Sequence, residues 1–145
     1  MPTRRASATW EGGLQKGSGS FNGESGAIAG AYSVGTRFGG EPGTNPEELL
    51  AAAEAACFSM ALSLGLEKNG TPPTRVHTDA ACTIDKAGEG FKITTMQLQV
   101  TARVDGIDDA TFQSIAQGTK VGCPVSQALA GVDIQLQATL ESGAA

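Results

Sequence analysis

Residues Asn45 to Leu66 read NPEELLAAAEAACFSMALSLGL, and this stretch decides the fold. Asn45 is a favoured N-cap residue, and Pro46 at the first helical position has no backbone N–H to leave unpaired. Glu47 and Glu48 fall in the first turn, where the helix dipole favours carboxylates, and Asn45 with Glu48 three residues on resembles a capping box. The pattern predicts a central helix over residues 45–69 with Asn45 as its cap.

The body of this predicted helix is apolar almost all the way round. From Leu49 to Leu66 it is interrupted mainly by Glu54, Ser59 and Ser63. An all-round apolar helix must be buried on every side. At about 1.5 Å per residue it runs roughly 30 Å, about the diameter of a small domain. One sheet cannot wrap such a helix, so we expect a partner subunit to cover part of it.

Alternation of polar and apolar residues predicts strands before and after the helix. The N-terminal part is expected to begin with a hairpin of two strands, Thr3–Trp10 and Leu14–Phe21. A glycine-rich loop at Gly23–Gly30 and a third short strand at Tyr32–Phe38 should follow. The C-terminal part is expected to begin with two strands, at Arg75–Asp85 and Phe91–Val104. A helix that starts at Asp108 or Asp109 and a second, short helix that starts at Cys123 should follow, and then a last strand at Val132–Leu140. A bulge is expected near Thr94 and Thr95 because the apolar phase changes there.

Together these elements predict an α+β fold in one domain over residues 1–145, a usual size for a single domain. Its N-terminal strands lie in residues 1–40, its central helix in 45–69, and its remaining strands and helices in 74–140. We expect antiparallel sheets from two chains to enclose the long central helices.

Composition and charge exclude several classes of function. The net charge is −5 and the pI about 4.8, which leaves no basic stripe for a phosphate backbone, so we expect no nucleic-acid partner. The N-terminus, MPTRRASATW, has no apolar run of signal-peptide length, and we expect no later stretch to span a bilayer. We therefore place the protein in the cytoplasm, with no membrane partner and no cofactor.

The chain has three cysteines, Cys57, Cys82 and Cys123, whose spacing gives neither a disulfide framework nor close-spaced zinc ligands. Cys82 shares its strand face with apolar residues and is interpreted as part of the core. Cys123 directly precedes Pro124 at a predicted helix start, where free backbone N–H groups and the helix dipole stabilise a thiolate. The local pattern therefore marks Cys123 as the more acidic thiol.

Cys57 lies within the central helix, three residues after Glu54, so burial and the nearby carboxylate are expected to raise its pKa unless a cation offsets them. On environment alone, Cys57 could also be a small core residue. The only histidine, His77, is on the polar side of a strand, so a Cys–His nucleophilic site is poorly supported. Activation of Cys57 would have to come from an arginine, and Arg37, between a strand and a glycine-rich loop, is the candidate, although a solvated arginine fits its position equally well.

Two motifs carry a resemblance to a known family. The run TNPEELLAAAEAACFSMAL, residues 44–62, together with CPVS, residues 123–126, resembles the OsmC/Ohr family of organic hydroperoxide peroxidases. The preceding VGTRFGG, residues 34–40, resembles the OsmC branch. The resemblance covers nearly the whole chain and implies an OsmC-like fold.

The resemblance also implies a mechanism and partners. Cys57 would attack the peroxide and become a sulfenic acid, which Cys123 would condense with to form a disulfide. Arg37 would stabilise the Cys57 thiolate, and Glu47 would hold the Arg37 guanidinium through a charge-assisted hydrogen bond. Family members are intertwined homodimers with active sites at the subunit interface, reduce organic peroxides in oxidative and osmotic stress defence, and are recycled by a dithiol such as a protein-bound lipoyl group.

Two features complicate this assignment. Glu47 and Cys57 are ten residues apart, roughly 15 Å along a straight helix, so they cannot touch directly. The helix bends, Arg37 spans the gap, or the carboxylate serves the partner's site. Glu54 stands where the family often has histidine, and its charge opposes ionisation of Cys57.

The main alternative to an enzyme is a dimeric redox-sensing or small-molecule-binding module that uses the same apolar pocket and a reversible disulfide. Multiple turnovers with a dithiol would separate the two, because a sensor oxidises once and a peroxidase cycles. A metal site at Cys57 and Cys123 lacks credible further ligands.

Overall fold

The computed structural model describes residues 1–141. The chain divides into two compact units, one covering Met1–Leu49 and the other beginning at Leu50. The division falls within the first turns of the long helix, and the single domain expected from the sequence stays a prediction.

The first unit is built on a three-stranded antiparallel sheet in the order β1-β2-β3, formed by β1 (Ala6–Glu11), β2 (Ser18–Gly23) and β3 (Ala29–Tyr32). This confirms the predicted N-terminal hairpin. Three aromatic rings pack across one face, with Tyr32 lying 5.5 Å from Trp10 and 6.0 Å from Phe21 between ring centroids. A side chain at Gly19 would meet the Tyr32 ring at 2.6 Å, so glycine allows this packing.

The third predicted strand, Tyr32–Phe38, is wrong for most of its length. Strand β3 starts inside the expected glycine-rich loop and ends at Tyr32, and a short helix, α1 (Val34–Phe38), follows it. A capping box explains the difference: the Ser33 hydroxyl accepts the Thr36 N–H at 3.3 Å, and the Thr36 hydroxyl accepts the Ser33 N–H at 2.9 Å. Arg37 therefore lies on a helix.

The long helix α2 (Pro46–Lys68) begins as predicted. The Asn45 side-chain carbonyl accepts the Glu48 N–H at 2.9 Å, as an N-cap residue does. In the single chain, α2 buries one face and exposes the other, and burial of the exposed face by a partner subunit stays a prediction. Met60 is 76% exposed and Leu64 51%.

Helix α2 also corrects the expectation that no stretch could span a bilayer. By length and composition alone it is long and apolar enough to do so, with a mean hydropathy of 1.8. The core helix of a globular protein passes the same test, so this property does not by itself assign a membrane location.

The second unit holds a sheet in the order β4-β5-β6, formed by β4 (Arg75–Ala87), β5 (Gly90–Arg103) and β6 (Asp133–Glu141). Strands β4 and β5 are antiparallel, and their register shifts so that Thr94 has no opposite residue, which confirms the predicted bulge. Strands β5 and β6 are parallel, so the expectation of antiparallel sheets is wrong for this pair. A parallel pair requires a crossover connection, which helices α3 (Asp109–Gly122) and α4 (Pro124–Ala128) supply.

The core of the second unit lies between its sheet and its helices. Helix α3 starts at the predicted cap, where the Asp108 carboxylate accepts the Thr111 N–H at 3.2 Å. The fully buried core side chains come from α2, β5 and α3, namely Phe58, Leu62, Leu66, Met96, Leu98, Val100, Ala102, Phe112 and Ala116. This α+β core anchors the middle of α2 and the α3–α4 junction.

Candidate active site

Two of the three cysteines meet where α2 faces the junction of α3 and α4. The Sγ atoms of Cys57 and Cys123 lie 2.8 Å apart, within hydrogen-bonding distance, and both thiols are free. The sulfurs are thus in direct contact across 66 residues of sequence. A disulfide between them would need little movement of either backbone.

Cys123 is fixed by the two helices that meet at it. Its N–H donates to the Thr119 carbonyl at the end of α3, and its carbonyl accepts the Gln127 N–H of α4, both at 2.9 Å. Its side chain is 0% exposed. The predicted position of Cys123 at a helix start, before Pro124, is confirmed.

A backbone N–H at the start of α4 acts on Cys57 and not on Cys123. The backbone N–H of Val125, the second residue of α4, hydrogen-bonds to the sulfur of Cys57 and so favours its thiolate. The sequence pattern had assigned this stabilisation to Cys123. The Val125 N–H lowers the pKa of Cys57 instead.

Other groups oppose ionisation of Cys57. Burial raises the pKa of the Cys57 thiol. Its hydrogen bond with Cys123 raises the pKa further, because Cys57 keeps its proton and donates it when Cys123 is ionised, and the charges of Cys123 and Glu54 act in the same direction. The Val125 N–H only partly offsets these effects, so the pKa lies above the ordinary value of a thiol. This confirms the expected influence of burial and of Glu54.

Glu54 makes a second contact between the same two segments. Its side chain is 0% exposed, and its Oε1 accepts a hydrogen bond from the Ser126 hydroxyl at 2.5 Å. Its Oε2 is buried and has no hydrogen-bond partner among residues 1–141. Ser126 was not among the site residues predicted from sequence, although its position three residues after Cys123 mirrors that of Glu54 three residues before Cys57.

Arg37 and Glu47 form an ion pair in the first unit. The Glu47 Oε1 accepts from the Arg37 Nη2 at 2.7 Å and from Nε at 3.1 Å, while Oε2 accepts from Nε at 3.2 Å. Glu47 is only 6% exposed, so the buried carboxylate holds the guanidinium firmly. The pairing itself is as predicted, and the role of Arg37 toward Cys57 stays a prediction.

The remaining candidates take no part in this arrangement. Cys82 packs against the hydrophobic core as predicted, and His77 lies on the exposed face of β4, 3.1 Å from Asp79. Residues 1–141 contain no group of three or more His, Cys, Asp or Glu side chains that could hold a metal ion.

An α+β fold with two facing thiols and a buried acidic neighbour indicates a thiol-dependent redox protein, and comparison with known proteins agrees with this class. The family model described as OsmC-like protein matches residues 38–137. Peroxiredoxin OsmC of Escherichia coli (strain K12) is 50% identical over 127 residues, which cover 87% of this chain and 89% of that protein. Organic hydroperoxide resistance protein OhrA of Bacillus subtilis (strain 168) is 32% identical over 102 residues, 67% of this chain and 68% of that protein.

Solved structures agree with the fold. The crystal structure of an organic hydroperoxide resistance protein from Elizabethkingia anophelis, with crystallant-derived thiocyanate bound, superposes with a TM-score of 0.76 over 97% of this chain and 98% of that one, at 24% identity. The chain belongs to the OsmC-like family. The α+β fold expected from the resemblance is confirmed.

Proposed function

We propose that this chain reduces organic hydroperoxides to alcohols with Cys57 as the attacking thiol and Cys123 as the resolving thiol. The chain is a thiol-dependent peroxidase of hydroperoxide defence, in keeping with curated relatives named peroxiredoxin and organic hydroperoxide resistance protein. What is proposed is the cysteine mechanism, the electrostatic partners, the reductant and the assembly.

The cycle has three balanced steps. The Cys57 thiolate attacks one peroxide oxygen, the O–O bond breaks, and the products are an alcohol and the Cys57 sulfenic acid. The Cys123 sulfur then displaces the sulfenic oxygen, which leaves as water when the Cys57–Cys123 disulfide forms. A dithiol such as a lipoylated protein reduces this disulfide by exchange and becomes a disulfide itself.

The contact between the two sulfurs carries this proposal. At 2.8 Å, the Cys123 Sγ is already next to the atom that it would attack after Cys57 is oxidised. Cys57 is partly accessible whereas Cys123 is fully buried, and the Val125 N–H supports a thiolate on Cys57. Access and the Val125 N–H thus favour the same assignment of roles as the family resemblance, whereas the Cys123 hydrogen bond opposes ionisation of Cys57.

We infer that Arg37 acts as the cation that stabilises the Cys57 thiolate and that Glu47 orients it. A fixed guanidinium near the thiolate would counteract the burial and the Glu54 charge that raise the Cys57 pKa. The bidentate bond to Glu47 supports this role, because it immobilises the guanidinium before substrate binds.

The substrate is a peroxide with an apolar tail, and the working form is a cytoplasmic homodimer. Ala53, Ala56 and Met60 are exposed on α2 in the single chain, within about one turn of Cys57. In the proposed dimer they would border both the partner subunit and the organic group of the substrate. The exposed apolar face of α2 supports burial against a second copy.

The assignment is tested by treating Cys57→Ser and Cys123→Ser with cumene hydroperoxide and trapping sulfenic acid with a dimedone probe. We expect trapped sulfenic acid only in Cys123→Ser. Multiple turnovers with dihydrolipoamide are expected of the unmodified protein, at a higher rate with cumene hydroperoxide than with hydrogen peroxide. Cys82→Ser is the matched control and should turn over normally. Trapping only in Cys57→Ser would reverse the two roles.

A further inference from the structure

Beside the two sulfurs, helix α2 and the start of α4 are joined by a second side-chain contact. Glu54 and Cys57 are three residues apart on α2 and therefore lie on the same helix face. Their partners Ser126 and Cys123 are also three residues apart, so the Glu54–Ser126 hydrogen bond of 2.5 Å and the Cys57–Cys123 contact of 2.8 Å are neighbouring links between the same segments.

The Glu54–Ser126 link is not explained by stability. A carboxylate that is 0% exposed and leaves its Oε2 without a partner among the described residues costs free energy relative to an apolar side chain of similar volume. Its charge also opposes ionisation of Cys57, which a peroxidase must favour. A residue with both costs is expected to contribute something to the reaction instead.

The Glu54–Ser126 hydrogen bond joins helix α4 directly to α2. Helix α4 is only five residues long, and Cys123 at its N-cap makes no side-chain cap hydrogen bond. The sulfur contact is made and broken in each cycle, whereas the Glu54–Ser126 bond takes no part in the chemistry. That bond can keep the Cys123 sulfur and the Val125 N–H aimed at Cys57 in every redox state.

We propose that Glu54 and Ser126 are a positioning pair that holds Cys123 against Cys57 for disulfide formation. The inference rests on the proposed function and deepens it. The step concerned is displacement of water from the Cys57 sulfenic acid by the Cys123 thiol. It competes with attack of the Cys57 sulfenate on the O–O bond of a second peroxide, which would give the Cys57 sulfinic acid and another alcohol. The positioning pair therefore determines the fraction of turnovers in which Cys57 forms the disulfide and is not oxidised to the sulfinic acid.

The test follows Cys57 after cumene hydroperoxide is added to reduced protein, with sulfenic acid, disulfide and sulfinic acid quantified by mass spectrometry. Ser126→Ala should slow conversion of sulfenic acid to disulfide by roughly tenfold or more, since small displacements of reacting atoms have large kinetic effects. Its sulfinic fraction at excess peroxide should rise, because the Cys57 sulfenic acid persists longer. Ser114→Ala, an exposed serine on α3, is the matched control.

Two further variants separate the bond from the fold. Glu54→Ala should behave like Ser126→Ala in disulfide formation, whereas Glu54→Gln keeps an acceptor for the Ser126 hydroxyl and should recover most of the rate. Disulfide formation at the unmodified rate in Ser126→Ala, or no recovery in Glu54→Gln, would overturn the positioning role.

Diamide provides a readout independent of peroxidase activity. It forms an adduct on the Cys57 sulfur, from which Cys123 displaces the hydrazine to give the same disulfide, so the positioning effect should appear in the same order among the variants. If the unmodified protein forms the disulfide with diamide but shows no reaction with cumene hydroperoxide, the proposed function fails while the positioning role is still measured.

Discussion

Cys57 is surrounded by one group that favours its thiolate and several that oppose it. The Val125 N–H lowers its pKa, whereas burial, the Cys123 hydrogen bond and the charges of Cys123 and Glu54 raise it. Because only the thiolate attacks peroxide, a raised pKa means that the reactive fraction is small at neutral pH and increases as the pH rises.

The pH dependence of Cys57 oxidation should therefore show the separate effect of each neighbouring group on the Cys57 pKa. We expect the rate constant for oxidation of Cys57 by cumene hydroperoxide, followed by stopped flow in Cys123→Ser, to increase with pH above neutrality. Glu54→Gln removes a like charge and should move the midpoint to lower pH, and Arg37→Ala removes the proposed cation and should move it to higher pH. Glu67→Gln, exposed near the end of α2, is the control and should leave the midpoint in place. Shifts of equal sign in Glu54→Gln and Arg37→Ala would contradict the proposed opposition.

At the scale of elements, the start of α2 depends on Asn45 in two ways. Its side-chain carbonyl caps the Glu48 N–H at 2.9 Å, and its amide donates to the Thr36 carbonyl at 3.0 Å. The same side chain therefore begins one helix and binds the preceding one, α1, within the first unit.

Loss of this cap should be measurable. Asn45→Ala is expected to lower the free energy of unfolding by about 1 kcal/mol, typical of a lost N-cap, as measured by urea denaturation. Asn45→Asp keeps the cap acceptor and loses only the bond to Thr36, so it should fall between Asn45→Ala and the unmodified protein. An unchanged denaturation midpoint in Asn45→Ala would show that the cap does not support the fold.

The sequence predicts those elements whose signals are local, and it misses those that depend on contacts between distant residues or on short capped turns. The limits of α2, the bulge at Thr94 and the Asp108 cap are local signals, and all were predictable. Helix α1 was missed because one turn stabilised by Ser33 and Thr36 is hidden in an alternating pattern. The parallel pairing of β6 was missed because alternation marks a half-buried strand and not its direction.

The site divides in the same way. Cys57 and Cys123 could be named from their motifs, but their contact depends on tertiary packing that joins α2 to the α3–α4 junction. The acceptor of the Val125 N–H was also unpredictable. A helix start in the sequence predicts free backbone donors, but it does not predict which group they bind. Ser126 was named only as part of the CPVS motif and given no role, since its partner Glu54 is 72 residues away in sequence.

At the scale of the whole molecule, one face of α2 is apolar and uncovered in the single chain. Four of its exposed side chains, Ala53, Ala56, Met60 and Leu64, recur every three or four residues and form a stripe on one side of the helix. The opposite side carries Phe58, Leu62 and Leu66, which are fully buried in the core of the second unit. A stripe of this length on the helix that carries Cys57 fits the proposed homodimer better than an exposed surface.

A charge in this stripe should separate the subunits. We expect the unmodified protein to sediment as a dimer and Leu64→Glu to sediment as a monomer, because a carboxylate would have to be buried without a partner at the interface. The fold should survive, since the Leu64 side chain is 51% exposed in the single chain and far-UV circular dichroism can verify it. Val121→Glu places the same charge on an apolar side chain of α3 that is 73% exposed, and it should stay dimeric. A monomeric unmodified protein, or a Leu64→Glu variant that sediments as a dimer, would show that the α2 stripe is not the surface that joins two chains.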